Sequence, residues 1–192
     1  MIVITAPGFV SDEAEKINLL FEVGIRRLHL RKPDASSEEV GRLVAQIDER
    51  WYERISVHYH FDVAEAFSLG GVHLSGRTPE APKRWTGLIS ASCHSLEEIE
   101  LRKNGLDYCF LSPIFDSISK EGYKSAFTTT ELEAARDRGL IDNKVIALGG
   151  INEENIKTVR DLGFGDYAVL GAIWKGQNSA DIRRLLEKYH IQ

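Results

Sequence analysis

Lys144-Val145-Ile146-Ala147-Leu148-Gly149-Gly150-Ile151-Asn152 is the stretch on which the reading turns. A short apolar run breaks at two glycines, and an amphipathic segment follows. Paired glycines let the backbone approach an anion closely, and Asn152 opens a helix whose first N–H groups have no partner inside the helix. A buried strand feeding a tight turn and then a helix is the repeating unit of parallel α/β folds.

That unit recurs in both directions along the chain. The spacing predicts strands at 2–5, 27–30, 55–59, 71–74, 88–92, 107–111, 144–148 and 167–170. Helices are expected at 12–23, 36–50, 62–69, 95–104, 129–138, 152–162 and 179–189, with only a faint helical pattern at 78–84. Ser95-Leu96-Glu97-Glu98 reads as a capping box, and Gly24, Gly105 and Gly163 stand where left-handed helix-ending residues belong. Eight units in succession predict a compact (β/α)8 TIM barrel occupying residues 1–192 as a single domain, with an open doubly wound sheet as the alternative. Asp107-Tyr108-x-x-Leu111-x-x-Ile114 also echoes Asp166-Tyr167-x-x-Leu170-x-x-Ile173.

Hydrophobic residues make up 43% and charged residues 28% of the 192, which suits a globular chain with a sizeable core. The formal net charge of −5 argues against nucleic acid or an anionic membrane as a general partner, so any anion must be met by a local site. Cys93 and Cys109 form no Cys-x-x-Cys pair, and neither a signal peptide nor a membrane-length apolar run is present. A reducing cytoplasm is the expected location, and a homo-oligomer is compatible with the composition.

In a barrel, residues that follow the strands gather at one rim. Those positions hold His29, Arg31 and Lys32, then Ser92 and His94, then the 112–120 segment, then Gly149-Gly150, and last Gly171. Cations, hydroxyls and glycines are the ingredients of a phosphate site, with Arg31 as a planar fork and Lys120 as a mobile point charge. His58, His60 and His73 invite a metal reading, because 58 and 60 alternate along a strand, yet no thiolate or carboxylate spacing reinforces it. Cys93 and His94 are adjacent on a strand and therefore point apart, so a buried thiol is expected rather than a nucleophile.

Leu28-His29-Leu30-Arg31, Gly71-Val72-His73-Leu74, Ser92-Cys93-His94-Ser95-Leu96-Glu97-Glu98, Asp107 through Phe115 with Ser117, Ser119 and Lys120, and Ala147 through Ile151 together resemble the thiamine-phosphate synthase family, which includes a thiazole tautomerase branch. The resemblance covers residues 2–175 and implies a transferase joining a pyrimidine methyl diphosphate to a thiazole phosphate, with release of pyrophosphate. It implies that Arg31, Ser92 and Lys120 act on the pyrimidine diphosphate, with His29 and Lys32 in the same basic motif. Ser117 and Ser119 fall in the phosphate loop, and Gly149, Gly150 and Gly171 in the thiazole-phosphate cup. Mg2+ is the expected cofactor of the family, but Tyr59 and Thr78 occupy its two aspartate positions, so no metal ligand is assigned. The tautomerase branch is the second reading, although its histidine position holds Pro113. A non-catalytic binder of thiazole or thiamine phosphate is the third.

Overall fold

The computed structural model describes residues 1–116, 125–171, 173–175 and 179–189. Its strands are β1 (Ile2–Ile4), β2 (Arg27–Leu30), β3 (Ile55–His58), β4 (Gly71–Leu74), β5 (Leu88–Cys93), β6 (Tyr108–Leu111), β7 (Val145–Leu148) and β8 (Asp166–Val169). The helices are α1 (Glu13–Glu22), α2 (Ser37–Val44), α3 (Phe61–Ala66), α4 (Leu96–Arg102), α5 (Thr129–Asp137), α6 (Ile156–Asp161) and α7 (Ser179–Lys188). The strands follow chain order around a closed barrel, and the pairs resolved in register are parallel. No helix among the described residues is long and apolar enough to cross a membrane.

Two compact units make up the chain, residues 1–89 with 170–192 and residues 90–169. In the first, Val3, Leu28, Leu30, Val57 and Val72 are fully buried, as are Ile17 and Leu20 of α1 and Val40 and Val44 of α2. The opposite strand face carries Arg27 and His29, Ser56 and His58, Gly71 and His73, matched in level by the parallel register. In the second unit, Ala91, Cys93, Cys109, Leu111, Val145 and Ala147 are buried together with Ile99, Leu132, Ala135 and Val159 of the helices. Apolar residues on one face of each short strand and one stripe of each helix thus supply the core.

Local chemistry moves several boundaries from their sequence-predicted places. The helix expected at 36–50 stops at Val44, and a 3-10 turn, Glu49–Arg54, begins where the Asp48 carboxylate accepts from the Arg50 N–H at 3.1 Å. The helix expected from Asn152 starts only at Ile156, because the Asn152 side chain accepts from the Glu154 and Asn155 N–H groups and folds 152–155 into a turn. Ser95 caps the Glu98 N–H, but the Glu98 carboxylate receives the His94 N–H, so the box is half formed. Gly24 and Gly163 adopt positive φ, whereas Gly105 ends a 3-10 turn without it. Residues 78–84 hold no helix, since Ser75 and Thr78 pair across a tight turn. The Asp107 and Asp166 echo does not equate the two tyrosines: register aligns Tyr167 with Ala147 and Leu111, which puts Tyr108 on the other face.

One packing device occurs in both units. Gly70 precedes β4 and Gly165 precedes β8, and a Cβ on either would overlap a backbone carbonyl, that of Glu53 and of Asn143 respectively. Each carbonyl belongs to the residue two before the preceding strand. Only glycine lets the incoming loop sit that close. Gly70→Ala and Gly165→Ala should therefore each cost roughly 1–3 kcal/mol in urea unfolding. Gly76→Ala, with no atom within 4 Å of the new methyl group, should change stability little.

Candidate active site

At the end of β2 the chain divides its two cations between two surroundings. Lys32 turns into the protein and is consumed there: its Nζ donates to the Ala6 carbonyl at 3.0 Å, to the Gly8 carbonyl at 2.7 Å and to the Glu13 carboxylate at 2.7 and 2.9 Å. The side chains of the pair are 0% and 2% exposed. Burial pushes the Lys32 ammonium down from its ordinary range, and the bond and charge of Glu13 oppose that shift. The expectation that Lys32 serves the diphosphate is thereby corrected, because a fully enclosed ammonium with all its donors engaged has nothing left to offer a ligand.

Arg31 is the contrasting case. Its backbone is pinned to β1, with its N–H donating to Thr5 Oγ1 at 2.8 Å and its carbonyl accepting from the same hydroxyl at 3.1 Å. The residue is half-buried, and among the described residues its guanidinium makes neither a hydrogen bond nor an ion pair. Its charge reaches His58.

The two positions that the resemblance links to magnesium carry a different arrangement. Tyr59 has φ +68, inside a three-residue turn closed by the His60 N–H on the His58 carbonyl at 2.9 Å. A left-handed tyrosine is strained by roughly 1–3 kcal/mol. The Arg77 guanidinium lies 5.6 Å from the Tyr59 ring centre, and its Nη1 reaches the Pro33 carbonyl at 3.5 Å. Thr78 Oγ1 is 3.0 Å from Ser75 Oγ. Mg2+ asks for carboxylate oxygens, and here a phenol, a hydroxyl engaged with serine and a fixed cation stand instead. These residues do not fit the ion.

His29, His58 and His73 meet on the inner face of β2, β3 and β4. His29 Nδ1 is 3.0 Å from His58 Nε2, and the His58 and His73 rings stack with centres 4.1 Å apart. His29 was expected to touch substrate, but it is fully buried and bonded to His58. His60, grouped by sequence with 58 and 73, instead turns its Nε2 to the Lys32 carbonyl at 2.9 Å. Burial first, then the charge of His73, holds both His29 and His58 well below the usual imidazole range. Cross-strand register was the missing signal, because alternation within one strand cannot say which neighbour lies alongside.

In the second unit, β7 delivers Gly149 and Gly150 at φ +97 and +67. A Cβ at Gly149 would lie 2.9 Å from Pro113 Cα, and one at Gly150 would lie 2.6 Å from the Asp116 carbonyl. The loop after β6 is zipped onto them by the Ile114 N–H on Leu148 and the Phe115 N–H on Gly149. Asn155 Nδ2 donates to the Gly150 carbonyl at 2.9 Å, while among the described residues the Gly150 N–H has no partner. Ser92 is half-buried, and His94 Nδ1 faces the Ser112 carbonyl at 3.1 Å. Cys93 and Cys109 are fully buried; the bond between them pulls the Cys93 thiol down and, with burial, pushes the Cys109 thiol up, and it is their enclosure that keeps both from acting as nucleophiles. Ser117, Ser119 and Lys120 lie outside the described residues. In the first unit, Gly171 is half-buried, and nearby Trp174 ties its indole N–H to the Ile4 carbonyl at 2.7 Å. A cleft of about 410 Å3 beside α1 and α2, lined by Phe9, Glu15, Glu39 and Arg42 among others, includes none of the candidate residues.

Two outcomes follow from the buried charges. Lys32→Met leaves the Glu13 carboxylate buried without its cation and should cost about 3–5 kcal/mol in urea unfolding, far more than a lost surface contact. The histidines set an acid limit. Their unfolded imidazoles take up protons below about pH 6.5 while the folded ones resist, so stability is present above that pH and falls below it. Each contributes a slope of up to about 1.4 kcal/mol per pH unit until its folded value is reached. Urea midpoints measured from pH 7 to 5 should fall less steeply in His58→Gln than in the natural chain, and parallel slopes would contradict the assignment.

A half-buried strand-end guanidinium with no partner among the described residues in one unit, and a close-packed glycine pair after a strand in the other, each suit an enzyme of phosphorylated substrates, and the comparisons agree. The sequence pattern described as "Thiamine monophosphate synthase" matches residues 1–173. A solved thiamine phosphate pyrophosphorylase from Bacteroides thetaiotaomicron is 40% identical, covering 99% of this chain and 95% of that one, with a TM-score of 0.90. Another, from Pyrococcus furiosus, is 27% identical over 98% and 92% of the chains at 0.75. The thiamine-phosphate synthase of Pyrococcus abyssi is 29% identical over 93% of this chain and 87% of its own length. On the barrel, the matched length and these relatives, the chain belongs to the thiamine monophosphate synthase family.

Proposed function

We propose that this chain is a thiamine-phosphate-synthase-type transferase, joining a pyrimidine methyl diphosphate to a thiazole phosphate and releasing pyrophosphate. The observation that carries the reading is Arg31, a half-buried guanidinium at the end of a barrel strand with no partner among the described residues. Such a group is held for an anion, and its planar fork suits two diphosphate oxygens. The Gly149-Gly150 turn offers the second phosphate close backbone approach and the Gly150 N–H, which has no partner among the described residues.

In the reaction, the bond between the pyrimidine methylene carbon and the diphosphate oxygen breaks, and the electron pair leaves with pyrophosphate. The thiazole nitrogen lone pair then forms the new C–N bond. Negative charge grows on the leaving group, so cations placed there lower the barrier. Arg31 supplies one such charge, and we assign Lys120 and the Ser92 hydroxyl to the same group. Ser117 and Ser119 are assigned to the phosphate loop and Gly171 to the cup with Gly149 and Gly150. Arg77, held over Tyr59, brings a fixed positive charge to the loop where the resemblance places an aspartate. No step is assigned to Mg2+. A cytoplasmic setting, in which Cys93 and Cys109 stay reduced, suits the reaction.

Pyrophosphate release from the two substrates tests the reading. The natural chain should turn over with a rate that EDTA changes by less than about tenfold, and Arg31→Ala should lower kcat/KM roughly 10- to 150-fold, the loss of one charge-assisted contact. The double substitution Tyr59→Asp with Thr78→Asp should make release rise with Mg2+, since it adds the carboxylates the ion needs. No release by either protein would point to a binder, and strong Mg2+ dependence of the natural chain would mean that other groups hold the ion.

A further inference from the structure

We propose that His29, His58 and His73 form a three-nitrogen site for a borderline divalent transition ion of the Zn2+ or Co2+ class. The site is independent of the transferase reading and uses different atoms from the two positions linked to magnesium.

Three adjacent strands supply the ligands. Register sets His58 directly beside His73, and His29 lies on the same face of the neighbouring strand, level with Ser56. One ring nitrogen from each histidine lies within 4.8 Å of the other two. His29 Nδ1 and His58 Nε2 are already 3.0 Å apart. Metal–nitrogen bonds of about 2.0–2.1 Å in a tetrahedral set require nitrogens roughly 3.3–3.4 Å from one another. The tightest pair therefore stands slightly inside the required spacing, and the widest gap closes by turning rings on fixed strands.

The donor set selects the ion. Three imidazoles with no carboxylate among them suit Zn2+, Co2+ or Ni2+ and reject Mg2+ and Ca2+, which require oxygen. The rings are fully or nearly fully buried, so they offer lone pairs rather than protons at neutral pH. Arg27 near His29 and Arg31 near His58 oppose a dication by charge, which favours an anionic fourth ligand such as hydroxide on the bound ion. His58 is the last residue of β3 and retains 5% exposure, so the open position lies toward the strand ends.

The test titrates CoCl2 into the chelator-stripped full chain. One Co2+ per chain should bind with the intense visible bands of four-coordinate cobalt, and ZnCl2 should remove them. At a hundredfold excess of Zn2+ over its Kd the melting temperature should rise by roughly 5–11 °C. His73→Asn and His58→Asn should each weaken binding by more than about a hundredfold, beyond the loss that outer-shell changes cause. His60→Gln and His94→Gln should leave the spectrum unchanged. The pale spectrum of six-coordinate cobalt in the folded natural chain overturns the proposal, as does retention of the bands in both cluster variants. Should a variant fail to fold, X-ray absorption of the zinc-loaded natural chain decides, because fewer than three imidazoles around the ion also overturns it.

Discussion

The Lys32 ammonium is the constraint on which the upper part of the first unit depends. One cation gathers two carbonyls from the loop after β1 and the first carboxylate of α1, and ties them to the end of β2. Burying a charge in this way costs several kcal/mol before its partners offset it, so the pair secures a particular arrangement more than it adds stability. Because Lys32 is committed inward, its neighbour Arg31 is displayed the other way, with its backbone clamped by Thr5 on both sides. Among the described residues, the guanidinium of Arg31 thus stays without a partner while the adjacent ammonium is fully engaged.

A second set of buried polar groups lies on the inner face of β2 to β4. Arg27 donates to the Ser56 hydroxyl at 3.2 Å and to the Glu53 carbonyl at 3.0 Å, and Gly71 is needed beside Ser56 because a Cβ there would overlap the hydroxyl. His29 stands level with Ser56, and His58 and His73 come one level further along the strands. Polarity inside the barrel is thus stacked in layers, and the outer faces of the same strands remain purely apolar. A strand can satisfy both demands because successive side chains alternate.

Most of the fold was legible in the sequence because a buried parallel strand is a short β-branched run, and no strand bound departs from expectation by more than one residue. What eluded the sequence depended on atoms distant in the chain. Asn152 reads as a helix start, yet its own side chain bonds the next N–H groups and delays the helix by a full turn. Lys32 reads as a rim cation for a phosphate until the Ala6 and Gly8 carbonyls are seen around it. His60 reads as the strand partner of His58, but Tyr59 turns the chain between them, and His29 from the neighbouring strand takes its place. Alternation, propensity and charge are properties of one segment, whereas enclosure and register are properties of several.

The pairing of Arg77 with Tyr59 bears on how the site relates to its surroundings. A metal ion is borrowed from solution, so the charge it brings varies with the free concentration and with competing nucleotides and phosphates. A guanidinium is part of the chain, present once per molecule and permanently protonated. On the proposed reading, the charge that Arg77 brings to this loop does not vary with ion supply. On that reading it also stays with the chain when pyrophosphate leaves, whereas a metal can depart bound to the anion.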